Sequence, residues 1–99
     1  MPLATTRGTL AGHVERLEQD VLEGWVMDPL DPATPVQLEV LVAGRVVATV
    51  PANRYRPDLD RAGLAGGRCG FAVALPASAD GIARVAVRRA ADGAPVPMP

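Results

Sequence analysis

The chain is 99 residues long, with 10 basic and 11 acidic side chains and a formal charge of −1. That length fits one compact domain and excludes two. The near-neutral balance argues against a nucleic-acid or polybasic membrane binder, because phosphate contacts need a clear excess of Lys and Arg.

The first nine residues are small and polar without periodicity, and residues 1–9 are expected to be a loose, flexible arm. A single β-sandwich domain is expected over residues 10–97. His13 to Leu17 reads as a short first strand, followed by a turn at Glu18-Gln19-Asp20. Val21 to Met27 has strand length and ends at Asp28-Pro29. Prolines 29, 32 and 35 make the next stretch a connection, since proline cannot donate to a ladder. Asp28 and Asp31 in that stretch are expected to be a solvated turn, because a calcium site needs about six to eight oxygen ligands. Val36, Leu38, Val40 and Val42 alternate with Gln37, Glu39 and Leu41, the period of a strand with one buried face. Ala43-Gly44 is a tight-turn signal, and Arg45 to Val50 returns with Val46, Ala48 and Val50 on one face.

Between Asn53 and Gly67 at most one helical turn is expected. Pro57 suits a first helical position, where its missing N–H would be unpaired anyway. Asp58 and Asp60 complement the positive helix end, and Gly63 can take the left-handed conformation that stops it. Gly66-Gly67 reads as a turn. Gly70 to Leu75 puts Phe71, Val73 and Leu75 on one face. Ile82 to Arg89 puts Ala83, Val85 and Val87 on one face, with Arg84, Ala86 and Arg88 on the other. Short strands at this spacing predict an all-β chain, a small antiparallel β-sandwich (Ig-like, about six to seven strands), with one short helical turn near 57–62.

Chemistry-bearing residues are scarce. The chain has one His (His13), one Cys (Cys69), one Ser (Ser78) and one Asn (Asn53), and every basic residue is arginine. A triad would need Ser78 or Cys69 with His13, and Ser78 lacks the flanking glycines of a nucleophile elbow. One imidazole without a second His or Cys is not a zinc site. No catalytic residue, metal or cofactor is expected, and the chain does not read as an enzyme. Cys69 reads as a buried residue; the alternative is a reactive thiol activated by Arg68. A lone cysteine forms no internal disulfide, and the N-terminus lacks the apolar stretch of a signal peptide. A cytoplasmic protein without a membrane span is expected.

The densest polar cluster is Arg54-Tyr55-Arg56-Pro57-Asp58. One reading makes Arg56, Asp58 and Asp60 a structural anchor for the loop. The other makes Arg54, Arg56 and Arg68, with Tyr55, a site for an anion or a carboxylate sugar. Trp25, after Gly24, is either a core residue or an exposed platform for sugar stacking.

Gly24-Trp25, the hairpin from Val36 to Val50, Ala52-Asn53-Arg54-Tyr55-Arg56-Pro57-Asp58-Leu59, Ala62-Gly63 and Gly67-Arg68-Cys69-Gly70-Phe71 together resemble a small bacterial β-sandwich module. That module is often appended to glycosyltransferases, sulfotransferases and other large surface-polysaccharide-related proteins. The resemblance spans about Gly12 to Val96, nearly the whole chain. Asn53 stands where the pattern usually has Asp, and Cys69 where it often has His. The resemblance implies an accessory role and supplies no active site. Three readings follow: a non-catalytic accessory or interaction module that meets a protein or neighbouring domain; a carbohydrate-binding module using Trp25, Tyr55, Arg54 and Arg56; and a self-associating β domain that pairs through the open edge of the hairpin. Arg45 and Pro51 at the ends of that edge favour a monomer.

Overall fold

A computed structural model describes residues 10–18, 20–75 and 85–98. Among these residues seven strands form two antiparallel sheets: β1 (Ala11–Glu18), β2 (Val21–Met27), β3 (Gln37–Val42), β4 (Arg45–Pro51), β5 (Arg54–Tyr55), β6 (Arg68–Ala74) and β7 (Val85–Arg89). The orders are β1-β2-β6-β5 and β4-β3-β7. This is the strand order of an immunoglobulin-type Greek key, in which the first, second, fifth and fourth main strands share one sheet. The C-terminal segment takes the place of the last strand. Pro95 bridges Arg88, and Val96 N–H donates to the Val87 carbonyl at 2.9 Å. Pro97 then accepts from the Val14 N–H at 2.8 Å, tying the chain end to β1 of the other sheet.

The core lies between the sheets. Val14, Leu22, Val26, Phe71 and Val73 pack from one side, and Leu38, Val40, Val85 and Val87 from the other. Buried and less buried residues alternate along β2, so Leu22, Gly24 and Val26 face inward and Trp25 faces out. The core reading of Trp25 is therefore corrected: the inward residue is Gly24. A Cβ there would stand 2.4 Å from the His13 carbonyl oxygen and 3.1 Å from the Phe71 ring.

The β3–β4 hairpin closes through Ala43 and Gly44, both at positive φ (52° and 80°), the geometry of a two-residue turn matched to strand twist. One expectation for β4 fails. Val40 pairs with Ala48 but Leu41 pairs with Val46, so a bulge leaves one residue of β4 unmatched. Val46 does not join Ala48 and Val50 on the inner face, and is 47% exposed.

The helical turn is α1 (Pro57–Arg61), with proline opening it, Asp58 and Asp60 in its first turn and Leu59 buried. Gly63 ends it at φ 75°, and Leu64 N–H returns to the Leu59 carbonyl at 3.0 Å, as in a Schellman stop. A 3-10 turn (Ala65–Gly67) leads into β6, and β5 is a strand that the polar sequence of the loop conceals. Within the expected strand Ile82–Arg89, residues 82–84 lie outside the described residues. So do the arm at 1–9, the 79–81 turn and Ser78.

Candidate functional site

The long connection from Ala52 to Arg68 is held by its own charges. Arg56 leaves the sheet just before α1, and its guanidinium grips Asp58 with two bonds, Nε to Oδ1 at 3.1 Å and Nη2 to Oδ2 at 2.7 Å. The same group donates to both oxygens of Glu15 on β1, through Nη1 to Oε1 and through Nη2 to Oε2 at 3.3 Å. Glu15 follows the buried Val14 and so lies on the outer face, where β1 is also irregular. Val14 pairs with Gly24 and Arg16 with Glu23, which leaves Glu15 as the extra residue of a bulge. Gly70 supplies the floor: a Cβ on it would stand 3.0 Å from the Arg56 Cδ, so the arginine stem lies flat across the glycine. The bonds to Glu15, then those to Asp58, raise the Arg56 pKa still further and fix the charge. The Arg56 guanidinium in turn pulls the exposed Asp58 below the usual carboxylate range.

Asp60 does not join this clamp. It accepts the Tyr55 hydroxyl at 2.7 Å, and that bond raises the Tyr55 pKa. Arg68 lies over the Tyr55 ring with its Cζ 5.9 Å from the centroid, within cation–π reach. Gly67 permits the close approach, since a Cβ there would stand 2.9 Å from the Tyr55 Cε1.

The remaining candidates form a cross-strand row. His13 pairs with Trp25, Trp25 with Gly70, and Gly70 with Arg54. His13 and Trp25 meet edge to face at 6.3 Å between centroids. Trp25 and Arg54 are thus brought to one sheet, two strands apart, with the flat Gly70 between them. Arg68 is set elsewhere, at the wall of a groove of about 580 Å³ lined by Pro32, Pro35, Asn53, Ala65 and Gly66. Arg54, Tyr55 and Arg56 line a second hollow of about 350 Å³ together with Glu15 and Glu23, whereas Arg68 lines the first, so the three arginines do not share one groove.

Cys69 is buried, 3.8 Å from the Leu64 carbonyl oxygen. Burial pushes its thiol pKa up, which opposes activation by Arg68. Among the described residues, no three His, Cys, Asp or Glu side chains converge as metal ligands. No described helix is long and apolar enough to cross a membrane.

Sequence reasoning missed a second clamp. Arg89 is 6% exposed, facing inward in register with Val85 and Val87. Its guanidinium takes both oxygens of Asp92 at 2.9 Å and one of Asp28 at 3.4 Å. Asp28 also accepts the Leu30 N–H at 2.9 Å. It therefore belongs to a network that fastens the β2–β3 connection to the end of β7, rather than to a solvated turn. The signal was available, because a strand alternation that reaches arginine at an inward position calls for a carboxylate partner. Comparison of the chain with protein-family profiles, with curated proteins and with solved structures returned no match.

Proposed function

We propose that the chain is a non-catalytic interaction module, an accessory domain of a bacterial protein concerned with surface polysaccharide. The observation that carries this reading is the use made of the charged loop. Arg56 bonds to Asp58 and Glu15, Tyr55 bonds separately to Asp60, and both sets hold the chain in place. Groups engaged in this way serve architecture, and the resemblance of the RYRPDL-to-GF pattern to appended modules points the same way. A neighbouring domain or protein is the partner of first choice. A glycan is the second reading, favoured by one observation: Trp25 stands on the outer face of the four-stranded sheet, half-buried, beside His13 and in register with Gly70. A ring so placed offers a face to sugar C–H groups.

One experiment addresses both. The protein is incubated with bacterial capsular oligosaccharides and with sulfate and acyl esters, products are analysed, and emission is followed from Trp25, the single tryptophan. No turnover is expected, and a saturable change in emission on adding an oligosaccharide supports the glycan reading. Turnover that is lost in Cys69→Ala or Ser78→Ala would overturn the module.

A further inference from the structure

We propose that the groove beside Arg68 is a binding site for a carboxylate-bearing sugar, a hexuronic acid. This rests on the reading of the chain as an interaction module and assigns it a contact point away from Trp25. Among the described residues, arginines 16, 56, 88 and 89 are in salt bridges. Arg68 has no carboxylate within ion-pair distance among the described residues, yet it is not loosely held. The Tyr55 ring lies under its guanidinium, and that ring is fixed by the bond from its hydroxyl to Asp60. The result is a pre-oriented cation on the wall of a groove, with its carboxylate-binding fork unoccupied by any described acid. An arginine fork matches a carboxylate in geometry and charge.

The rest of the groove fits a sugar ring. Its volume of about 580 Å³ lies in the range of small-ligand clefts. Pro32, Ala33 and Pro35 present carbon surface to the C–H face of a pyranose. The Asn53 amide, exposed at the same groove, both donates and accepts, as sugar hydroxyls require. One residue of the lining, Ala65, is strained. Ala65, Gly66 and Gly67 all have positive φ (49°, 63° and 83°), and Ala65 carries a Cβ that this conformation disfavours. Strain of this kind concentrates at ligand clamps. A single guanidinium and a net charge of −1 suit one carboxylate rather than a polyphosphate.

The test is a titration of the isotope-labelled 99-residue chain, followed by amide chemical shifts, with glucuronate, glucose, acetate and N-acetylalanine in parallel. Glucuronate is expected to move the amides of Asn53, Ala65, Gly66 and Arg68 saturably, with an affinity on the order of millimolar, and to bind more tightly than the other three. Arg68→Gln is expected to weaken binding roughly tenfold or more, as loss of a charge-assisted pair should. Arg61→Gln, at the exposed end of α1, leaves it unchanged. The spectrum of each unliganded variant reports whether the fold is kept, and Asn53→Ala gives a second, milder loss should Arg68→Gln unfold. The proposal is overturned if no groove amide responds, if Arg68→Gln binds as the parent does, or if acetate or N-acetylalanine binds as well as glucuronate. Shifts confined to His13 and Trp25 would also overturn it, while leaving the module and its outer-face glycan reading intact.

Discussion

At the scale of single residues, the same side-chain types serve opposite ends according to what stands opposite them. Arg56 has two carboxylates on its guanidinium and a glycine under its stem, so its charge is matched on every side that the fold supplies. Arg68, twelve positions on, has an aromatic ring and a groove. The Arg56–Asp58 pair also makes a pH prediction. Asp58 has a folded pKa below its unfolded one, so its stabilising contribution is complete above the unfolded value and is lost as pH falls through the folded value. Asp58→Asn is therefore expected to be less stable than the parent at neutral pH. The gap should begin to close as the pH falls below about 4, where the unfolded carboxylate takes up its proton, and should be gone only below the lower folded value. Urea unfolding at a series of pH values reads this directly, and a gap that is the same at pH 7 and pH 2.5 would contradict it.

At the scale of elements, hairpin and helix obey local rules, while bulges redirect the rest. Ala43 sits at φ 52° in the turn between β3 and β4, where glycine would relieve its Cβ. Ala43→Gly is expected to raise stability by about 0.5–1 kcal/mol, a shift of a few degrees in Tm by calorimetry. β4 itself is the outer strand of its sheet. Ala52 N–H donates to the Val36 carbonyl at 2.8 Å, which puts Val50 and Ala48 on the inward-bonded pairs and turns Thr49 and Pro51 outward. Pro51 offers no donor there, and the bulge opposite Val40–Leu41 breaks the spacing further along. Both are devices that blunt an edge against pairing with another chain.

At the scale of the molecule, local pattern and long-range pairing divide what the sequence tells from what it hides. The alternation of β3 as far as Val40, the Asn53–Gly67 turn opened by Pro57 and stopped by Gly63, and the inward run Phe71, Val73, Leu75 are local facts and legible; the alternation fails at Leu41, which is buried beside a half-buried Val42. Glu15 is not. Its meeting with Arg56, 41 positions away, joins opposite edges of a sheet whose strand order local pattern does not give. Nor is the face of Trp25 legible, since glycine and tryptophan at adjacent positions leave open which one points inward. Arg89 is legible in principle, since the alternation that turns Val85 and Val87 inward carries it to the same face. The loop anchor was legible as a cluster, but its partners were not: Asp60 serves Tyr55, and the clamp recruits Glu15 from the far sheet edge.

The charged loop is built to hold the chain to itself. A double-mutant cycle between Glu15→Gln and Arg56→Met, read by urea unfolding at neutral pH, tests it most directly. The pair is about one-third exposed on each side, so the expected coupling is about 1 kcal/mol, with Arg56→Met the more destabilising single change. Zero coupling, with Arg56→Met as stable as the parent, would contradict the claim and return Arg56 to the list of residues kept for a ligand.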